Sequence, residues 1–175
     1  SRIYKEGSAF DGIYIVLNGS ARVLKGDRLV GIRETTDSIG AYELLTGGLR
    51  RHTVIAETPL SVLKINHNVI GSLVSVNKSF SNLFDFLASA HISSELLSDV
   101  KPYSDYSAKK LRTTIKTGRV VKISEGDKQR LEGSKCILVK GKAIADESET
   151  EVLSPAVLDD CNVRSIGDSV VFLIP

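Results

Sequence analysis

The stretch Ile39-Gly40-Ala41-Tyr42-Glu43-Leu44-Leu45-Thr46-Gly47-Gly48-Leu49-Arg50-Arg51-His52-Thr53 interrupts a strand-rich region with something that is not a strand. Ala41 to Thr46 suits one short helix, entered from Gly40 and left through a Gly47-Gly48 turn. Apolar runs flank it on both sides. Ile13 to Leu17 ends at Asn18-Gly19, a strong turn pair, and Ala21 to Leu24 resumes before Lys25-Gly26-Asp27. Leu29 to Ile32 is a further short strand and Thr35 to Ser38 a polar connection; Val54 to Ile55 and Leu60 to Ile65 complete the set. Short strands at this spacing predict an antiparallel barrel or jelly roll, broken once by the helix.

The period changes near Asn66. Val69, Ile70, Leu73 and Val74, then Phe80, Leu83, Phe84 and Leu87, fall at helical spacing and predict helices that pack on the roll. Pro102 breaks the pattern, and Ser107 to Thr117 predicts a short helix with Gly118 as its stop. Strand character then returns at Val120 to Ile123, Cys136 to Val139, Ala143 to Ile144 and Ser169 to Ile174. Three segments repeat in order. Arg2 to Gly7 resembles Val121 to Gly126, Ile13 to Gly19 resembles Lys135 to Gly141, and Val54 to Ile65 matches Val163 to Ile174 without a gap. The expected architecture is therefore mainly β with helices: a first roll with its following helix over residues 1–98, then a helical linker and a second, degenerate β-roll over residues 99–175.

Bulk properties exclude several classes. The 175 residues are 42% hydrophobic and 25% charged, with 23 Lys+Arg against 21 Asp+Glu and a net charge of +2. That balance gives no electrostatic reason to expect nucleic acid as a partner. His52, His67 and His91 stand alone, and no nucleophile elbow or phosphate-binding Gly-Lys-Ser/Thr loop is present, so no enzyme is expected. Asp146, Glu147, Glu149 and Glu151 read as a solvated acidic loop, not a metal site. The two cysteines, Cys136 and Cys161, lack metal-ligand spacing and suit a reduced compartment. The chain holds no Met and opens directly on a strand pattern, as expected for a piece of a longer protein.

With Glu6-Gly7 and the Gly19 turn upstream, the opening stretch resembles the phosphate-binding cassette of cyclic-nucleotide-binding domains. In that family a short helix follows a glycine and its free N–H groups face the cyclic phosphate, as a helix N-terminus favours an anion. A following Arg pairs with phosphate oxygens, and a Glu just after the Gly accepts from the ribose 2′-hydroxyl. On that resemblance Gly40 matches the cassette glycine, Arg50 the phosphate-pairing arginine and Thr53 the closing threonine. The ribose position holds Ala41, however. Glu43 comes two residues later, roughly 200° around a helix, and cannot simply substitute. Leu49 replaces the usual Pro, and His52 replaces a small pocket-lining residue. Tyr42, Leu44 and Arg51 complete the candidate ligand-binding set, read as a degenerate cassette. No cofactor is expected, with cAMP or cGMP as the alternative.

The run Ile3 to Gly7, then Gly12 to Ile15, then Gly40 to Gly47 narrows the resemblance to the cytosolic tail of plasma-membrane Na⁺/H⁺ antiporters of the plant salt-overly-sensitive type and the related sperm-type exchangers. Ser154-Pro155-Ala156 in the second β-rich region adds to it. What this resemblance implies is a cytosolic regulatory domain on the inner side of the plasma membrane. Its partners would be the parent's own transport domain and a second copy in a homodimer, through dimer or autoinhibitory contacts. The alternative is a sensor that binds cyclic nucleotide in the first roll.

Overall fold

The computed structural model describes residues 1–131, 135–145, 149–158 and 162–175. They form two compact units, Ser1–Ala88 and Ser89–Pro175. The fold is mostly β: a roll of the cyclic-nucleotide-binding type, a helical linker and a second β-roll.

In the first unit, strands β1 (Arg2–Tyr4), β2 (Gly12–Asn18), β3 (Ser20–Lys25), β4 (Arg28–Glu34) and β5 (Ser38–Ile39) precede the short helix α1 (Glu43–Thr46). Strands β6 (Thr53–Ala56) and β7 (Ser61–Asn66) follow, then helix α2 (His67–Val76). One sheet has the order β1-β6-β3-β4 and the other β5-β2-β7, all antiparallel. The two faces of β2 explain its unbroken apolar run. Tyr14 and Val16 point into the roll with Ala21, Val23, Ile39 and Val54. Ile13 and Ile15 point outward, to be covered by Ile70, Val74, Phe84 and Leu87 of the helices. A strand buried on both sides cannot show polar alternation.

The Asn18-Gly19 pair does not make the hairpin its composition suggests. β2 and β3 lie in different sheets, and Gly19 is the corner between them. Its φ is +87°, and a Cβ there would fall 2.1 Å from the Pro59 carbonyl oxygen. The hairpin turn proper is Gly26-Asp27, which joins β3 and β4 at the pair Lys25 and Arg28.

Helix α3 (Lys78–Leu97) starts at Asn77, whose Oδ1 accepts from the Ser79 amide at 2.8 Å and separates it from α2. Helix α4 (Ala108–Lys116) is capped by Ser107, whose Oγ accepts from the Lys110 amide at 3.2 Å. Leu111 and Ile115 are its buried residues, as their spacing predicts. Among the described residues no helix is long and apolar enough to cross a membrane.

In the second unit the strands are β8 (Arg119–Ile123), β9 (Lys128–Arg130), β10 (Lys135–Lys140), β11 (Lys142–Ala145), β12 (Thr150–Leu153), β13 (Ala156–Leu158), β14 (Asn162–Ser165) and β15 (Ser169–Ile174). Their sheets run β12-β11-β14-β9 and β13-β10-β15-β8. Pair by pair, this is the first roll again. Ile13 opposite Ile65 corresponds to Lys135 opposite Ile174, and Val16 opposite Val62 to Leu138 opposite Val171. Even the register shift recurs, between Val16 and Asn18 in one roll and between Leu138 and Lys140 in the other. Ala21 opposite Ala56 becomes Ala143 opposite Ser165. Gly141 takes the place of Gly19, with φ +99° and a Cβ position 2.8 Å from the Asp168 carbonyl oxygen.

Three readings of the sequence change. The counterpart of β1 is β9, because each pairs with the penultimate strand of its roll; β8 is an extra strand on β15. The match of Glu6-Gly7 to Glu125-Gly126, which follow β8, therefore does not hold in the strand pairing. The acidic segment is partly strand: Glu151 lies in β12 and ion-pairs with Lys142, while Asp146 and Glu147 fall outside the described residues. Cys136 is fully buried and disulfide-bonded, which corrects the expectation of reduced thiols; the chain's other cysteine, Cys161, lies outside the described residues. Spacing along the chain does not report distance across a sheet.

Candidate functional site

The cassette connects β5 to β6, and its residues gather around one guanidinium. Arg50 is the largest fully buried side chain among the described residues, at 1% exposure. Its backbone is fixed first. The Arg50 amide donates to the Ser8 carbonyl at 2.7 Å, and the Arg50 carbonyl accepts from the Gly7 amide at 2.8 Å. The Thr53 hydroxyl accepts from the Glu6 amide at 3.0 Å, so the closing threonine ties the cassette to the Glu6-Gly7 turn. The Glu6 carboxylate in turn bonds Lys25 Nζ at 2.6 Å and the Gly26 amide at 3.0 Å. Those two bonds, Lys25 first, hold its carboxyl below the usual range.

The guanidinium then finds its close partners at Nη2 and over its faces. Nη2 donates to Asp11 Oδ1 and to the Gly12 carbonyl, both at 2.6 Å. Nη1 reaches the Gly40 carbonyl at 3.5 Å and lies 3.7 Å from Glu43 Oε2. The rings of Tyr4, Phe10 and Tyr14 stand 4.1, 4.8 and 5.7 Å from the guanidinium carbon, cation–π distances in each case. Asp11 is shared with Lys64. Partial burial raises the Asp11 carboxyl, but the bonds from Lys64 and Arg50 outweigh it and bring it down to about 2. Burial and the Glu43 charge push the Tyr4 phenol well above its ordinary value.

Glu43 is itself buried, at 3% exposure. Oε1 accepts from the Arg51 amide at 2.9 Å, and Oε2 has no hydrogen-bond partner among the described residues. The same is true of Arg50 Nε. Two opposite charges face one another inside the roll without a direct hydrogen bond between them.

The remaining candidates divide clearly. Gly40 has φ +78°, and a Cβ there would meet Arg50 Nη1 at 2.2 Å, so the glycine is demanded by the arginine's own side chain. Ala41 is fully buried in the apolar cluster with Ile13, Ile70 and Phe84. Leu44 packs against that cluster from its edge. Tyr42 is buried beneath Arg51, whose guanidinium lies 5.8 Å from its ring. His52 is half-buried beside the Glu6 carboxylate. Sequence reasoning brought together Gly40, Glu43, Arg50 and Thr53 but missed Tyr4, Phe10 and Asp11.

Among its described residues the second roll holds no such arrangement. Cys136 opposite Leu158 repeats Tyr14 opposite Ile39, so β13 answers to β5. Only residues 159–161, which lie outside the described residues, separate β13 from β14, where residues 40–52 separate β5 from β6. Leu153 to Leu158 are strand and the turn between β12 and β13, not a cassette helix. Arg164 lies opposite Ile144 as Ile55 lies opposite Arg22, so it is no counterpart of Arg50. Among the described residues no group of three His, Cys, Asp or Glu is placed to hold a metal ion.

Residues 1–77 match the family model of the cyclic nucleotide-binding domain. No curated protein gives a significant sequence match. Among solved structures, the chain is similar to the regulatory subunit of a cAMP-independent protein kinase A from Trypanosoma brucei, at 15% identity over 99% of this chain and 68% of that one, with a TM-score of 0.46. It is also similar to the regulatory domain of Toxoplasma gondii protein kinase A, crystallised with cAMP, at 17% identity over 99% of this chain and 74% of that one, TM-score 0.43.

Proposed function

We propose that this chain is a non-catalytic regulatory region whose first roll keeps the cyclic-nucleotide-binding fold without depending on cyclic nucleotide. One observation carries the reading: Arg50, the residue that would pair with a cyclic phosphate, is buried and already faced by Asp11 and Glu43. A ligand phosphate would have to displace those carboxylates or share the cation with them. At about 4 Å, repulsion between two like charges is on the order of 4 kcal/mol at an effective dielectric near 20. Ala41 removes the ribose acceptor as well, a loss on the order of 1.5–3 kcal/mol. In the second roll only three residues join β13 to β14, too few for a segment of the cassette's length.

The parent, on this reading, is a plasma-membrane Na⁺/H⁺ antiporter, and the region lies on its cytoplasmic side. The support is the run of residues from Ile3 to Gly7, Gly12 to Ile15 and Gly40 to Gly47. Regulation would act through contacts with the transport domain or with a second copy. Calorimetric titration of the fragment with cAMP and cGMP tests the site: no binding tighter than about 1 μM is expected, a threshold of about 8 kcal/mol. The gene's upstream sequence tests the parent, which must encode a series of apolar segments of membrane length, each of about 20 residues.

A further inference from the structure

Glu43 has a consequence that the loss of the ribose acceptor does not have. Resting on the reading above, we propose that Glu43 is the specificity-determining residue of the first roll, its carboxylate standing in for the anion that Arg50 would otherwise hold. The geometry of the guanidinium supports this. Nη2 is saturated by Asp11 and the Gly12 carbonyl, so only the Nη1 and Nε edge remains for an anion. Nε has no hydrogen-bond partner among the described residues, and Nη1 has only the long contact to Gly40. Glu43 Oε2 lies 3.7 Å from Nη1 and is likewise without a hydrogen-bond partner there.

The carboxylate is held in place by its other oxygen, which accepts from the Arg51 amide. It neutralises the cation by proximity while leaving hydrogen-bonding capacity on both groups unused. An anion of tetrahedral shape, with more oxygens than a carboxylate can present, would satisfy that capacity better once Glu43 is removed. The ligand class is a phosphate monoester or diester, recognised through its charge and not through a ribose.

The test compares the unmodified fragment with Glu43→Ala and Glu43→Gln, using cAMP and inorganic phosphate as probes in calorimetry. Glu43→Gln keeps an acceptor for the Arg51 amide and the side-chain volume, so it remains informative if the alanine variant folds poorly. Circular dichroism and thermal unfolding establish that each variant is folded. Expected is a gain of about tenfold or more in cAMP affinity for both variants, since removing a like charge beside a bound anion is worth at least one such factor. A gain for cAMP alone indicates nucleotide recognition, and a gain for both probes indicates a general phosphate site; either supports the proposal. Folded variants with affinities unchanged from the parent chain overturn it. Micromolar cAMP binding by the unmodified chain would instead overturn the functional reading, so the two failures are distinct.

Discussion

A Cβ placed on Gly40 would fall 2.2 Å from Nη1 of Arg50 and 3.3 Å from the Tyr4 hydroxyl. The backbone turn that opens the cassette and the buried cation therefore share one space. Gly40→Ala has to strain a residue at φ +78° and move the guanidinium together. Strained backbone of this kind costs roughly 1–3 kcal/mol. Chemical denaturation should show a loss in that range or above, because displacing Arg50 also disturbs its pairing with Asp11. A stability unchanged within about 0.5 kcal/mol would mean that the cluster is looser than its distances state.

Arg50→Ala should be more damaging. Removal of one partner from a buried ion pair leaves the other charge uncompensated, at a cost of about 3–5 kcal/mol. The charge left behind is Glu43, buried at 3% exposure, more than Asp11, which is half-exposed and retains Lys64. Adding Glu43→Gln to Arg50→Ala should therefore recover part of the loss, whereas adding Asp11→Asn should recover less. Equal recovery by both would place the cost elsewhere.

Acid sensitivity follows from Asp11. Its carboxyl is held at about 2 in the fold against the ordinary 3.8, because hydrogen bonds from Lys64 and Arg50 outweigh the effect of partial burial. A carboxyl depressed by folding contributes stability that is fully present above its unfolded value. That contribution is lost as pH falls through the folded value. The unfolding free energy should thus decline between about pH 4 and pH 2. Asp11→Asn should flatten the decline, by a modest amount because the carboxylate is half-exposed and screened. Glu6, depressed chiefly by Lys25, acts in the same direction, so some slope should survive the substitution.

How much of this was legible beforehand depended on whether the determining contacts were local. Strands with both faces buried announced themselves by continuous apolar runs, as at Ile13 to Val16 and Ile137 to Val139. The helices announced themselves by period, and the last of them by the stop at Gly118. The duplication was visible wherever a glycine was forced by close approach, at Gly19 and Gly141. Assignment of Glu6-Gly7 failed because two Glu-Gly pairs follow one another in the second roll, and only strand pairing chooses between them. The role of Glu43 was illegible for another reason. Angular position on a helix says which way a side chain leaves the axis, but not that a buried arginine from seven residues later folds back to meet it.

The duplicated corner gives a symmetrical prediction. Gly19→Ala brings a methyl to 2.1 Å from the Pro59 carbonyl oxygen, and Gly141→Ala brings one to 2.5 Å from Ser169 Oγ and 2.8 Å from the Asp168 carbonyl oxygen. Both sites have positive φ, and backbone atoms cannot move aside as a flexible side chain would. Each substitution should destabilise its own unit by roughly 1–3 kcal/mol. The Gly19 change should cost more, since its nearest neighbour is backbone. Hydrogen exchange would localise each effect to the unit that carries it.

The last prediction concerns the helices outside the first roll. α2 and α3 cover Ile13 and Ile15 with Ile70, Val74, Phe84 and Leu87, and this uses one face of each. Val69, Val76, Phe80 and Leu83 remain at least a third exposed, with Val76 at 80%. Phe80 stacks only on the edge of that core, 6.5 Å from the Phe84 ring centre. Single exposed apolar residues need no explanation, but four on consecutive helices do. If contacts with a second copy are how the region regulates its parent, Leu83→Glu should weaken self-association. Its effect on the fold should stay within about 0.5 kcal/mol, because the position is half-exposed and carries no special backbone feature. Sedimentation of the fragment is the first readout, and ion exchange by the full-length protein the second if the parent is the antiporter proposed above. Unchanged association and unchanged exchange, across Leu83→Glu and Val76→Glu alike, would rule this face out as a contact surface, whether for a second copy or for another part of the parent.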